Sequence, residues 1–122
     1  MRSRAFRGIP SIQEVECWGG TLTSDVKLMG LQMYRLPEST VVASLNVYTN
    51  NCNTFDDYSS CIIFPSVTHR SKVRLLVHDL KEGESREYGC TATILKPLGI
   101  AATTRWSLRV KRNGKLKAYG CY

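Results

Sequence analysis

The stretch from Leu75 to Cys90 reads Leu-Leu-Val-His-Asp-Leu-Lys-Glu-Gly-Glu-Ser-Arg-Glu-Tyr-Gly-Cys, and it is the strongest indication of the fold. It begins with an alternating apolar segment, passes through a short acidic turn, and ends with Tyr88 two residues before Cys90. Leu75 and Val77 would lie on one face of an extended strand, because successive side chains of a strand point to opposite sides. The stretch therefore predicts two strands joined by a turn.

Similar short segments recur along the chain, separated by Gly, Pro, Asn or Ser. No window of helical length keeps an apolar period of about 3.6 residues. The predicted strands are Ile12–Trp18, Leu28–Leu36, Thr40–Tyr48, Cys61–Phe64, Lys72–Val77, Tyr88–Leu95 and Thr103–Lys111. The polar segment Thr49–Ser60 is expected to be a loop. About seven or eight short strands predict an all-β fold, a two-sheet antiparallel sandwich.

The length of 122 residues, or 13.7 kDa, suits one domain with a single core. We expect the domain to span residues 1–112, and residues 113–122 to be a basic tail or the start of a missing segment. No apolar run at the N-terminus resembles a signal peptide, and none elsewhere has membrane-spanning length. The chain is therefore interpreted as a mature fragment, an excised domain or an incomplete gene product.

The pattern around the opening stretch resembles the strand E to strand F signature of the immunoglobulin superfamily, in which an apolar strand ends at a corner and an acidic residue precedes Tyr-x-Cys. The resemblance implies an immunoglobulin-like sandwich of seven or eight strands, close to the number usual for such domains. It also implies that Leu80 closes the bottom of the core. Tyr88 would bury its ring and return its hydroxyl to main chain near the corner.

The same resemblance implies a disulfide across the core between Cys17 and Cys90, which are 73 positions apart. Such a closed loop stabilises a fold by roughly 4 kcal/mol in the chain-entropy model. The chain departs from the family pattern at three places: the segment Leu28–Leu36 lacks a Trp to pack on the bridge, Glu84 stands for the usual Asp, and Arg86 for a small residue.

A narrower resemblance concerns the segment Leu31-Gln32-Met33-Tyr34-Arg35. With its missing Trp and an additional cysteine pair in the middle of the chain, it is similar to the divergent immunoglobulin-like domains of invertebrate immune lectins of the fibrinogen-related type. This similarity implies a role in innate immune recognition.

Five cysteines are many for a reduced protein of this size, and none forms a Cys-x-x-Cys pair. Their usage argues against a zinc site and favours an oxidising compartment. Cys121 is left without a partner if the others pair two by two, which suggests an interchain bridge or a bond to a missing segment. It could equally compete for Cys52 or Cys61.

Cys52 and Cys61 bracket the polar loop and would form a local bridge, which is expected to add about 2 to 3 kcal/mol. The functional alternative is that this bridge holds a rigid acidic and aromatic tip for partner binding. The tip residues are Asn53, Thr54, Phe55, Asp56, Asp57 and Tyr58. Both aromatic rings could instead fold back on the sandwich. The loop is expected to lie apart from the opening stretch.

Seventeen basic and ten acidic residues leave a net charge of +7, with the excess at both ends of the chain. The charges at the two ends are interpreted mainly as a solvated, solubilising edge. On the last strand, Arg105, Ser107, Arg109 and Lys111 would share the face opposite Trp106, Leu108 and Val110. This basic stripe could contact an anionic glycan or acidic protein, or simply prevent edge-to-edge pairing. It lacks interleaved aromatic residues, so nucleic acid is an unlikely partner.

Catalytic signals are weak. His69 and His78 are the two histidines, and neither has a metal-binding or nucleophile-activating spacing. No phosphate-binding glycine loop or Gly-x-Ser-x-Gly motif occurs. We therefore expect no enzyme, no metal and no cofactor.

Three functional hypotheses remain from the sequence. The leading one is a secreted or extracellular immunoglobulin-like module that binds a protein or glycan partner in cell adhesion, receptor recognition or innate immunity. The second is a small secreted effector, such as a toxin or protease inhibitor, that acts through a disulfide-held loop. The third, an intracellular nucleic-acid-binding β-barrel with reduced cysteines, fits the cysteine content least well.

Overall fold

The computed structural model describes residues 1–20, 22–65 and 67–112. These residues form nine β-strands and two short 3₁₀ turns, with no α-helix among them. The strands are β1 (Arg2–Phe6), β2 (Ile9–Trp18), β3 (Lys27–Leu36), β4 (Thr40–Asn46), β5 (Asn51–Thr54), β6 (Ser59–Ile62), β7 (Lys72–Val77), β8 (Ser85–Lys96) and β9 (Ile100–Lys111). They pair into two antiparallel sheets, which confirms the predicted all-β sandwich. The predicted tail and Cys121 lie outside the described residues.

The four-stranded sheet has the order β1-β2-β7-β6, and the five-stranded sheet has the order β5-β4-β3-β8-β9. The chain changes sheet after β2, after β5 and after β7. Both sheets therefore contain strands from distant parts of the chain, and neither could form from one continuous segment.

The core lies between the two sheets and is built from alternate residues of the central strands. In β7 every second residue is buried, as its alternating sequence predicts. The core residues include Val15, Cys17, Leu31, Met33, Ala43, Leu45, Val73, Leu75, Val77, Cys90, Ala92 and Val110. In the middle of this layer Cys17 of β2 is bonded to Cys90 of β8, with their Cα atoms 5.5 Å apart.

Residues 49–60 are not simply a loop, and that prediction was wrong in extent. Asn51–Thr54 and Ser59–Ile62 are strands at the edges of the five-stranded and four-stranded sheets, which leaves residues 55–58 as the tip. β1 was not predicted either. The missed edge segments are mostly polar or exposed, so their sequence shows no apolar alternation, unlike the edge strand β9.

The bond between Cys52 and Cys61 joins these two edge strands, with a Cα separation of 6.2 Å. Because β5 and β6 belong to different sheets, the bridge closes one side of the sandwich. It is local in sequence, yet it links the two layers as the central bridge does.

Tyr88 and Leu80 occupy the expected buried corner, at 3% and 2% exposure. The Tyr88 hydroxyl has a different partner from the expected main chain: Arg86 Nη1 lies 3.4 Å away and also donates to Asp79 Oδ1 at 2.8 Å. The hydrogen bond from Arg86 holds the pKa of Asp79 below its ordinary value. Burial raises the pKa of Tyr88. The Arg86 guanidinium therefore occupies the space beside the Tyr88 hydroxyl. A small residue at position 86 would leave that space to a main-chain partner.

Gly89 lies beneath the ring of Tyr34 on the outer face of the five-stranded sheet. A Cβ atom at Gly89 would be 2.2 Å from Tyr34 Cε2, well inside contact distance. The ring can therefore lie flat on the sheet, and its hydroxyl is 3.0 Å from Thr91 Oγ1. The glycine is needed here for space.

We predict that Gly89→Ala lowers the free energy of unfolding by about 2 kcal/mol, because the added methyl group must displace a packed ring. Urea denaturation measures the loss. The matched control is the same substitution in a Tyr34→Ala background, where it should cost much less. An equal cost in both backgrounds would show that the contact with the ring is not the cause.

Candidate binding face and charged clusters

The outer surface of the five-stranded sheet carries small uncharged polar side chains. We name as the polar face the outward residues Gln32, Ser44, Asn46, Asn51, Asn53, Thr91, Thr93 and Thr103. They stand opposite the buried positions of the same strands, as the pleat of a strand requires. Four are amides and four are hydroxyls, so the face is rich in hydrogen-bond donors and acceptors and has no carboxylate.

A shallow groove of about 450 Å³ crosses this face. Gly30 lies at its centre, between Asn46 of β4 and Thr93 of β8, and contributes no side chain. A Cβ there would lie 3.2 Å from the Leu45 carbonyl oxygen. Tyr48 stands at the rim with 80% of its surface exposed. The groove thus combines amides and hydroxyls with one exposed aromatic ring.

The basic stripe adjoins the polar face. Arg105 pairs in register with Thr91, and Arg109 pairs with Glu87. Trp106 and Leu108 are half-buried and Val110 is buried, so the three cations of the stripe, Arg105, Arg109 and Lys111, face outward as the sequence predicts. None of these three cations forms an ion pair within the described part of the chain. Arg105 is therefore available to an anionic group bound near Thr91, while Arg109 and Lys111 lie further along β9, beside Glu87 and Ser85.

The tip between β5 and β6 is exposed and internally braced. Phe55 is 68% exposed and Tyr58 is 51% exposed, so neither ring is folded into the core. Asp56 accepts a hydrogen bond from Tyr58 N at its Oδ1, at 2.8 Å, and its carbonyl accepts one from Ser59 N at 3.0 Å. Asp57 is also exposed. The four-residue tip consequently presents two carboxylates and two aromatic rings.

The tip does touch the opening stretch, contrary to expectation. The rings of Tyr58 and His78 are 3.8 Å apart between centroids, and Leu76 N donates to the Tyr58 carbonyl oxygen at 3.0 Å. This contact follows from β6 pairing directly with β7 in the four-stranded sheet. The sequence could not reveal it because β6 was read as part of a loop.

The predicted partner-binding residues form two separate patches. The tip follows β5 at one edge of the five-stranded sheet, whereas the basic stripe runs along β9 at the other edge. The polar face connects them, and sequence reasoning missed it. The polar residues that alternate with the core positions of β3, β4 and β8 could have indicated this face from the sequence.

The outer surface of the four-stranded sheet is organised by ion pairs. Glu16 is fully buried, and Arg2 donates to its Oε1 from Nε at 2.9 Å while Lys72 contacts its Oε2. Glu14 lies between Arg4 at 3.6 Å and Arg74 at 3.8 Å. Arg2 and Arg4 remain more than half exposed, at 52% and 56%, as expected for a solvated edge, but they also pair with acidic side chains because β1 pairs with β2.

The Glu16 carboxyl group stays ionised despite its burial. Burial by itself would raise its pKa, but hydrogen bonds from Lys72 and Arg2 and their positive charges outweigh that effect and lower it. A buried carboxylate is tolerated here because it has two cationic partners.

Nothing among the described residues forms a metal-binding group of three or more His, Cys, Asp or Glu side chains. His69 and His78 lie apart, the first in a 3₁₀ turn and the second after β7. No helix in the described residues has the length and apolar character to cross a membrane.

We predict that Glu16→Gln lowers the free energy of unfolding at pH 7 by about 3 kcal/mol, because Arg2 and Lys72 lose their counterion. The folded-state pKa of Glu16 lies below its ordinary value of 4.5, so its stabilising effect is present above that pH and disappears as the pH falls further through the folded-state pKa. Denaturation at several pH values should show the two proteins converging in acid. Glu38→Gln, at an exposed turn, is the control. A difference that stays constant with pH would contradict the assignment.

No protein-family model matches this chain, and comparison with curated proteins finds no match.

Proposed function

We propose that this chain is an extracellular immunoglobulin-like recognition module that acts without catalysis, and that its polar face binds a glycan. The strand orders support the immunoglobulin-like part of the proposal. Variable-type domains add two strands to the edge of one sheet and reach nine strands. The order β5-β4-β3-β8-β9 opposite β1-β2-β7-β6, with a disulfide from β2 to β8, is consistent with that arrangement.

The single observation that carries the glycan proposal is the composition of the polar face. Stable protein interfaces have cores enriched in aromatic residues and arginine. The polar face instead offers amides and hydroxyls around the floor at Gly30, with Tyr48 as an aromatic wall and the Tyr34 ring on the same outer face beside Thr91. Such groups can exchange hydrogen bonds with a sugar, which is itself covered in hydroxyl groups. The Tyr48 ring can pack against the C–H surface of that sugar.

The basic stripe favours a glycan that carries acidic groups. Arg105 is the register partner of Thr91, which lines the groove, so an anionic substituent of a bound sugar could approach its guanidinium. Charge-assisted hydrogen bonds are roughly twice as strong as neutral ones. The stripe would thus contribute affinity for sulfated or carboxylated sugars, while the groove would supply specificity.

Two disulfides support a secreted or extracellular location, since such bonds persist in oxidising compartments. Adhesion, receptor recognition and innate immune recognition are the roles that this proposal accommodates.

The glycan proposal predicts that the double variant Arg105→Ala/Arg109→Ala elutes from immobilised heparin at lower salt than the parent protein. Its affinity for heparin should fall by about fivefold per lost charged contact. The matched control removes two exposed cations elsewhere, Arg7→Ala with Lys81→Ala, and should elute close to the parent. Equal shifts in both double variants would show a mere net-charge effect and reject the stripe as the site.

The polar face is tested separately by Gln32→Ala with Asn53→Ala, which leaves the net charge unchanged: Gln32 lines the groove, and Asn53 pairs in register with Ser44 of its lining. Both side chains are exposed, so the melting temperature should stay the same while heparin affinity falls by about fivefold, the value of one or two net hydrogen bonds. Unchanged affinity would exclude the polar face as the glycan contact.

A second candidate function is supported by the braced tip. Phe55 is exposed on a segment whose flanking strands are joined by a disulfide. Because the bridge already restricts this segment, it would lose little conformational entropy on entering the active site of a protease. An apolar specificity pocket such as that of chymotrypsin would accept a Phe side chain. In this case the chain would be a small secreted effector.

This alternative predicts stoichiometric inhibition of chymotrypsin, which Phe55→Ala should abolish. Tyr58→Ala should have a smaller effect, because Tyr58 already contacts His78. Trypsin, whose pocket requires a basic residue, serves as the control enzyme. Ordinary cleavage of the chain, with no inhibition, would remove the candidate.

A further inference from the structure

A second groove lies on the four-stranded sheet, away from the polar face. It has a volume of about 440 Å³ and combines apolar and basic walls. We name it the basic groove; its principal lining residues are Arg2, Trp18, Leu22, Phe64, Arg70 and Lys72. None of the described residues that line it is acidic. The volume falls in the range of small-molecule sites, which are about 300 to 1,000 Å³.

The fold constructs the groove from two places that are distant in sequence. Trp18 ends β2 and pairs in register with Lys72, the first residue of β7. The segment before β7 folds back, because the buried Ser71 hydroxyl accepts a hydrogen bond from Phe64 N at 3.2 Å. Phe64 is consequently held beside Trp18 and Leu22 as an apolar wall, with 41% of its surface exposed.

The cations of the groove are held in place before any ligand arrives. Buried Glu16 binds Arg2 through its Oε1 and Lys72 through its Oε2. Arg2 uses Nε and Nη2 for this contact, so its Nη1 remains available, and Lys72 retains further N–H donors. Two cations on one carboxylate leave this cluster with one net positive charge.

Arg70 adds a second positive charge at the rim. It belongs to the 3₁₀ turn Thr68–Arg70, is exposed, and makes no ion pair with any residue in the described ranges. His69 of the same turn also lines the groove. The groove therefore has unneutralised positive charge directly beside aromatic and aliphatic surface.

We propose that the basic groove binds a small organic anion with an apolar body, of the class of aryl or alkyl sulfates, sulfonates and carboxylates. The body would pack against Trp18, Leu22 and Phe64, and the anionic group would meet Arg70 and the free donors of Arg2 and Lys72. An uncharged apolar ligand would leave these cations without a partner, and a simple inorganic anion would leave the apolar wall exposed to water. This site is independent of the glycan proposal, because it lies on the other sheet.

The test uses anilinonaphthalene sulfonate as the anionic probe and N-phenylnaphthylamine, the same aromatic framework without the sulfonate, as its neutral counterpart. Both are titrated into the folded protein, and their fluorescence gives the affinities. The Trp106→Phe variant leaves Trp18 as the single tryptophan, so energy transfer from Trp18 shows that the probe binds near it, and substitutions in the lining then assign the probe to the groove. The anionic probe should bind at least about tenfold more tightly than the neutral one, a difference of about 1.4 kcal/mol.

Arg70→Ala should lower the affinity for the anionic probe by about fivefold, as expected for loss of one charged contact near the surface. The affinity for the neutral probe should stay unchanged. Phe64→Ser should weaken both probes. Arg105→Ala removes the same charge from the other sheet and should change neither. Melting temperatures of the variants show whether each one folds.

Three results would overturn the proposal: equal affinity for the two probes, no effect of Arg70→Ala in a folded variant, or the same loss with Arg105→Ala. Each would mean that the probes adhere to apolar surface or respond to net charge alone. Arg105→Ala also separates the two sites, since the glycan proposal predicts weaker heparin binding for this variant while the basic groove remains intact.

Discussion

The bond between Cys17 and Cys90 is the constraint on which the rest of the sandwich depends. It joins the second strand of one sheet to the fourth strand of the other, at the middle of the buried layer. Closing a loop of this length restricts the unfolded chain and contributes about 4 kcal/mol in the chain-entropy model. Apolar residues that alternate along the central strands pack around it. The second bridge, between Cys52 and Cys61, then ties the two sheets together at one edge.

With the inner faces used for the core, the two outer faces differ in their chemistry. On the four-stranded sheet, acidic residues of β2 lie between basic residues of β1 and β7, and one carboxylate is completely buried beneath its partners. The centre of the outer face of the five-stranded sheet carries uncharged polar side chains, with the basic stripe along β9 and Glu87 opposite Arg109. This division separates an ion-paired surface with a groove at one end from a surface suited to hydrogen bonding.

Prediction from sequence succeeded where a local pattern carried the information. The bounds of β7 were predicted exactly as Lys72–Val77, because a central strand must alternate apolar and polar residues when one face is buried. β8 and β9 were recognised but begin three residues earlier than expected. β1, β5 and the first half of β6, Ser59–Ser60, were missed, since a polar edge strand lacks that alternation.

The residues proposed for binding were identified without their arrangement. Arg105 is exposed as expected, and Phe55, whose ring could have folded back on the sandwich, is exposed too, but the two lie at opposite edges of a sheet whose centre was overlooked. The polar face exists only once β3, β4, β5, β8 and β9 are aligned, since each strand contributes one or two side chains. The basic groove likewise requires Trp18 and Lys72 to become neighbours across a strand pair.

The amino-acid sequence by itself determined the all-β class and the core-facing side of the central strands. These follow from the period-two geometry of a strand and from the demand that apolar surface leave water, and both can be read over a few residues. Only the tertiary structure decided which outward side chains meet: that Arg2 neutralises Glu16, that the tip contacts His78, and that the polar face is continuous. The physical reason is that strand order and register depend on the packing of the whole chain, which no local segment contains.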